Sequence, residues 1–357
     1  MVLITHVAYN TGYVVTGTWG HVLDRFDFGV PLFFLMSGFL LYRPWARAAL
    51  DRRPRPDHRR YAVRRAARIL PLYWVVVVVT LLFLPEIRPV PFEQWWRHLL
   101  AIQIYWPSGA VEGLTQTWSL CTEIAFYVAL PFLGLLALGR RQRSAESAWR
   151  RQMTLLAVLV VVANAFTAVR VTTHYLPSFS GTWLPAYLDW FAAGMGLALI
   201  EVRSRQADPP ALVRVAVAAA RDPFACLIIA VSLFALSTTP VGGPYDLAAS
   251  SPWETFAKHW LYLGAAAFFL LPGILRGERP PVSHLARPLP HRLGLISYGI
   301  FLWHLLLLRL LMPVLGIPIF GGGTLLLAVV LIPVTVLVAT ITYHLVERPA
   351  QVWAHRS

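Results

Sequence analysis

From Ile69 to Pro85 the chain reads "ILPLYWVVVVVTLLFLP", a run without a single charge and without alternation between apolar and polar residues. As a helix it is about 25 Å long, close to the ~30 Å hydrocarbon core of a bilayer. Similar runs recur from end to end. The chain has 357 residues, of which 57% are hydrophobic and 13% charged, too few charges to cover a soluble surface of that size. Backbone groups in lipid must satisfy one another, so these runs are expected to be helices, since strands of a membrane barrel would alternate. The expected fold class is an all-α integral membrane bundle of about ten transmembrane helices, near 1–17, 28–42, 69–85, 117–138, 153–171, 183–200, 223–238, 254–275, 293–316 and 320–345.

The net charge of +14 invites a nucleic-acid partner. Its distribution argues for the lipid bilayer instead. Every second connection between the expected spans is arginine-rich, led by 43–68 with ten arginines, whereas the alternate connections hold only Arg25, Arg88 and Arg97. That alternation is the positive-inside pattern and places both termini in the cytoplasm. The first span is short and no basic residue precedes it, so the natural start is expected to lie upstream, with a short tilted helix as the other reading. The chain reads as a single membrane domain over 1–357, with 43–68 as a basic cytoplasmic loop within it. The segment "FEQWWRHLLAIQIYW" (Phe92 to Trp106) is expected to be an interfacial or re-entrant helix. Cys121 and Cys226 have no metal-ligand spacing, and a disulfide between them is not expected.

Ionisable groups inside such spans are costly and face cavities or partners. His6 and His304 fall near mid-depth, as does Ser37. Glu123, in "TWSLCTEIAF", and Asp189 are each expected about 9 Å below the outer surface. Every one has a plain alternative. His304, next to Trp303, can simply pin two helices, and Asp189 can fix a helix contact. His6 has little local polar support and Glu123 is costly unless paired or facing water, so both point more to function. In "RRYAVRRAARILPLYW" the arginines at 60, 64, 65 and 68 recur at helical spacing. Such a stripe suits a phosphate-rich ligand, or equally anionic lipid headgroups.

The chain resembles the acyltransferase 3 family of polytopic bacterial membrane acyltransferases along essentially its whole length. The pieces come in that family's order. They are a first-span histidine (His6), "FGVPLFFLMSGFLLYR", "RRAARILPLYW", "TWSLCTEIAFYVALP", "YLDWFAAGMGLAL", "LGLISYGIFLWH" and "YHLVERPAQ". An arginine that the family usually carries ahead of its histidine has no counterpart here.

The resemblance implies an enzyme of the bacterial cytoplasmic membrane that moves an acyl group, expected to be acetyl, from cytoplasmic acyl-CoA to a hydroxyl of a glycan, cell-wall or small-molecule acceptor. Acyl-CoA is then a donor substrate, and no permanently bound cofactor or metal is expected. His6 and Glu123 are the expected catalytic residues. Arg65 and Arg68 are expected to hold the nucleotide phosphates. Trp118, Ser119, Ser37, Asp189, Tyr298 and His304 are expected to line the donor and acceptor sites, with Ser37 as an oxyanion donor. A direct transfer with His6 as general base and a relay through an acyl-histidine both remain open. The alternative is a transporter or flippase, which should show inverted repeats with matched helix breaks; none is visible.

Overall fold

The computed structural model of the chain describes residues 1–139, 144–244, 248–276 and 287–356. In order the α-helices are α1 (Val2–Asn10), α2 (Tyr13–Thr16), α3 (Gly20–Asp24), α4 (Gly29–Leu50), α5 (His58–Phe83), α6 (Phe92–Leu99), α7 (Trp118–Leu138), α8 (Ala145–Thr172), α9 (Leu188–Arg203), α10 (Ala211–Ala220), α11 (Pro223–Ser237), α12 (Pro252–Arg276), α13 (Pro288–Val314), α14 (Thr324–Thr342) and α15 (Arg348–Arg356). Short 3₁₀ turns link several of them, and a π-helical turn over Tyr343–Glu347 joins α14 to α15. There is no β-strand among the described residues.

Seven helices or fused helix pairs are long and apolar enough to cross a membrane, and the pair α10 and α11 makes an eighth if counted as one broken span. The protein is thus an all-helical chain with the build of a multi-pass membrane protein. Each of the ten expected spans meets helix, but three fall short of a full crossing for local reasons. The segment 1–17 is broken at Gly12, whose φ of +78° ends α1 after nine residues. Residues 184–187 form a 3₁₀ turn that delays α9, leaving it 16 residues long. The α10 and α11 axes meet at 95° because Pro223 lacks an N–H and Asp222 caps α11 through Phe224 and Ala225.

Packing divides the chain into two compact units, each assembled from separate stretches. The first comprises Met1–Asp27, Asp57–Ile124 and Arg287–Ser357. Here α5 begins sharply at His58, since Asp57 accepts the Arg60 N–H (3.1 Å) after the proline-broken "RRPRP". That bond holds the exposed Asp57 carboxyl below its usual range. Tyr298 of α13 donates to the Ile69 carbonyl of α5 (2.9 Å). The two residues sit at similar distances from the starts of their helices, so α5 and α13 rise side by side from arginine-rich ends. Against α13 and α14 lies α1, in an apolar cluster of Val7, Leu305, Leu308, Met312, Ile317, Leu327 and Leu331.

The second unit comprises Phe28–Pro56 and Ala125–Ala286. Its centre is the pair α4 and α9, which touch backbone to backbone at glycines. A Cβ on Gly38 would stand 2.3 Å from the Phe191 carbonyl oxygen, and one on Gly194 would stand 2.1 Å from that of Leu35. Phe191 stacks between Phe34 and Phe126, with ring centroids 4.6 and 4.0 Å away. At the far end of α9, Arg43 grips Glu201 with a two-pronged ion pair (2.8 and 3.0 Å). Close approach at small residues is how helices associate where lipid removes the hydrophobic drive. Gly194→Ala should therefore force the two helices apart, at about 1–3 kcal/mol, the usual cost of overpacking. Thermal unfolding in detergent reads this as a clear fall in midpoint; an unchanged midpoint would mean that the contact is not tight.

Candidate functional site

The site begins with how α1 is fixed. At its end, Phe320 N–H donates to the Asn10 carbonyl (2.8 Å) and Gly322 N–H to that of Thr11 (3.0 Å). The Thr11 and Thr324 hydroxyls meet at 2.7 Å. Gly12 permits this stitching, because a Cβ there would lie 3.1 Å from Phe320 Cα. The turn between α13 and α14 thus locks the register of α1, and this lock sets where His6 sits.

His6 faces His304 of α13, with ring centroids 5.2 Å apart and planes at 43°. His304 is fully buried. Its Nδ1 lies 2.6 Å from the Phe301 carbonyl and 3.2 Å from that of Ile300. Carbonyl oxygens only accept, so Nδ1 carries the hydrogen and Nε2 is left with a lone pair. That Nε2 has no hydrogen-bond partner among the described residues. A buried acceptor without a donor costs free energy comparable to a lost hydrogen bond, which marks this nitrogen as kept for something other than stability.

The long connection after α5 folds inward rather than lying on the surface. Tyr73 donates to the His98 carbonyl (2.6 Å), yet Tyr73 is ten residues, about 15 Å, short of the end of α5. The His98 ring is wholly buried and bonds the Gln94 carbonyl; burial pushes its pKa down to about 4. Further on, Gln116 donates to the Leu302 carbonyl (2.8 Å), two residues before His304. The start of α7, with Trp118 and the buried Ser119, therefore lies level with the histidine pair. Ser119 Oγ bonds back to the Gln116 carbonyl (3.2 Å).

This depth moves Glu123. Sequence spacing put it about 9 Å below the outer surface. With α7 starting at the level of His304, Glu123 lies about a further 8 Å toward the arginine-rich end. It is 1% exposed, and its charge acts on Tyr61 in the first turns of α5. Arg65, one turn beyond Tyr61, acts on the same phenol. Arg68 is exposed on α5, and its charge reaches Glu347, a buried carboxylate in the π-helical turn. Tyr298 is held by its bond to Ile69.

The remaining expected site residues belong to the second unit. Ser37 is buried on α4 beside Gly38. Asp189 is buried at the start of α9, where its Oδ1 accepts the Trp190 N–H (2.9 Å) and its Oδ2 meets Nε2 of His259 at 2.7 Å. The indole of Trp190 stacks on the His259 ring at 4.5 Å.

The profile of the acyltransferase 3 family, described as an acyltransferase domain, matches residues 1–344. The chain belongs to this family. Among known proteins it is 24% identical to "Peptidoglycan O-acetyltransferase OatA" of Listeria monocytogenes, over 90% of this chain and 50% of that protein. It is likewise 24% identical to "Putative peptidoglycan O-acetyltransferase YrhL" of Bacillus subtilis, over 92% and 51%. "Exopolysaccharide production protein ExoZ" of Rhizobium meliloti is 27% identical over 80% and 77%. The chain spans about half the length of the first two of these relatives. No solved structure matches.

For this family member the structure joins His6 with His304, and Arg65 and Glu123 through Tyr61. It also adds residues that spacing did not single out. His259 reads as a surface-seeking side chain near a span end, yet it pairs with Asp189. Tyr61 stands out only through the charges of Arg65 and Glu123 that act on it. Asn10 is an ordinary polar residue in "ITHVAYNTG", but its Nδ2 donates to the His6 carbonyl (2.8 Å), a spacing of four that the sequence does contain.

Proposed function

We propose that the chain is a membrane-embedded O-acyltransferase that moves an acetyl group from cytoplasmic acetyl-CoA to a hydroxyl of a cell-wall or extracellular glycan. The observation that carries this reading is the His6–His304 pair, in which two carbonyl bonds leave His304 Nε2 as a buried lone pair. In the proposed step, His304 Nε2 accepts an N–H from His6. The other His6 nitrogen then carries the lone pair that removes the acceptor's hydroxyl proton. The freed oxygen attacks the thioester carbonyl, the C–S bond breaks, and the departing CoA thiolate takes the proton from His6. The products are the ester and CoA thiol.

The arginine-rich ends of α5 and α13 face the cytoplasm in this account, in keeping with the charge alternation. Arg65 and Arg68 there hold the donor's phosphates, and Glu347 keeps Arg68 oriented. Glu123 serves this donor side, as the counter-charge that sets Tyr61 and Arg65, rather than an outer acceptor cavity. Trp118 and Ser119, level with the histidines, border the reacting groups. The glycan class is taken from the names of two relatives, "Peptidoglycan O-acetyltransferase OatA" and "Putative peptidoglycan O-acetyltransferase YrhL".

The test uses the purified full chain in nanodiscs with acetyl-CoA and a soluble glycan. Release of CoA thiol that rises with added glycan, together with acetyl ester on the glycan, is the expected result. A chain that carries solutes across vesicles without cleaving thioester would overturn the reading in favour of a transporter.

A further inference from the structure

At the ends of α1 and α13 away from the arginines, the first unit contains a hollow of about 490 Å³ that no sequence motif announces. Its walls are largely apolar, formed by Met312, Pro313 and the turn Gly316–Ile319. Two charged groups face it, Glu86 and Arg309. The Arg309 guanidinium donates through Nε (2.8 Å) and a terminal nitrogen to one oxygen of Glu86. It lies 3.8 Å from Glu112 and reaches the Asn10 side-chain oxygen at 3.4 Å. Volume, apolar walls and a few convergent polar groups are the attributes of a ligand pocket.

Arg309 is five residues beyond His304, about 8 Å along α13. Asn10, which Arg309 touches, is four residues beyond His6 and bonded to the His6 carbonyl. The hollow thus lies just past both histidines on the same two helices.

We infer that this hollow binds the acceptor as a neutral sugar unit, with Glu86 and Arg309 holding neighbouring hydroxyls and the apolar turn covering one sugar face. The ligand class follows from the charges. Glu86 and Glu112 already flank Arg309, so a strongly anionic ligand would have to displace a carboxylate, and a cation entering the hollow would meet the guanidinium that faces it. A polyol can accept from the remaining Arg309 N–H groups and donate to the second Glu86 oxygen without breaking the pair. A sugar seated there would extend a further hydroxyl toward the histidines. The inference rests on the acyl-transfer reading for its purpose, but the binding can be tested without it.

Calorimetry with the full chain in nanodiscs, a tetramer of β-1,4-linked N-acetylglucosamine as the probe and no donor present supplies that test. Wild type should bind the tetramer. Glu86→Gln removes the acceptor charge, and Ile319→Trp fills the hollow from its half-exposed rim. Each should raise Kd at least tenfold while the thermal midpoint stays at the wild-type value. Equal binding by wild type and both variants, or no binding by wild type at millimolar tetramer, would overturn the inference. Because no thioester is present, failure of acyl transfer itself would leave this result unaffected.

Discussion

Replacing His6 by alanine should lower ester formation by about 10²–10⁴-fold, the span that a positioned general base contributes, with little change in KM for acetyl-CoA. The expectation follows from two features. His6 is held in register by the stitching of α1 to the α13–α14 turn, and it faces a partner whose Nδ1 is directed at two carbonyl oxygens. His304→Ala should cost less than His6→Ala, because it removes the group that orients the base and not the base. His304→Gln offers a side-chain oxygen near the position of the lost nitrogen and should recover part of that loss. Only His304 substitutions should also displace the acidic limb of the pH–rate profile, since they change the surroundings of a His6 that is still present. A His304→Ala protein with wild-type rate and pH profile would reduce the pair to a packing contact.

The second large effect concerns the arginine-rich end. Arg65→Ala and Arg68→Ala should each raise KM for acetyl-CoA on the order of ten- to a hundredfold, since a hydrogen bond between charged groups contributes about 1.5–3 kcal/mol. Neutral-lipid nanodiscs are the appropriate setting. If the stripe only anchors anionic headgroups, KM will not move there, and the substitutions will matter only for partition into anionic bilayers. Glu123→Gln discriminates between the two places considered for that residue. On the donor side, beside Tyr61 and Arg65, it should change KM for acetyl-CoA. In an outer cavity it would change KM for the glycan instead.

How much of this was legible from the sequence depends on the range of the interaction that fixes each feature. Helical character followed from the apolar runs, because hydropathy and backbone satisfaction act locally. Breaks were less legible. Gly12 ends α1 with a φ of +78°, and the space that its missing side chain leaves is closed by Phe320, more than three hundred residues away. The dip of the 86–116 connection was half visible in its aromatics, but its depth is set by Tyr73 and Leu302, partners that spacing cannot reveal. That depth, which spacing along α7 does not carry, is what brings Glu123 toward Tyr61 and the arginine-rich end. His6 and His304 were both recognised as costly mid-membrane groups. Their pairing needed the fold, and the unpaired Nε2 needed the carbonyls of Phe301 and Ile300. Likewise Asp189 was expected to have a partner, and that partner is a histidine which its own position at a span end had disguised.

In the proposed mechanism a thioester presented on the arginine-rich face is spent, through His6, on a hydroxyl at the opposite face. Inside-out membrane vesicles put this to the test. Acetyl-CoA labelled in its acetyl group is supplied outside, where the cytoplasmic face lies, and the label is followed into glycan enclosed in the lumen. Luminal acetyl ester should accumulate with wild type and be lost with His6→Ala. Label that never reaches the lumen, or reaches it equally with His6→Ala, would rule out transfer through His6 across the membrane.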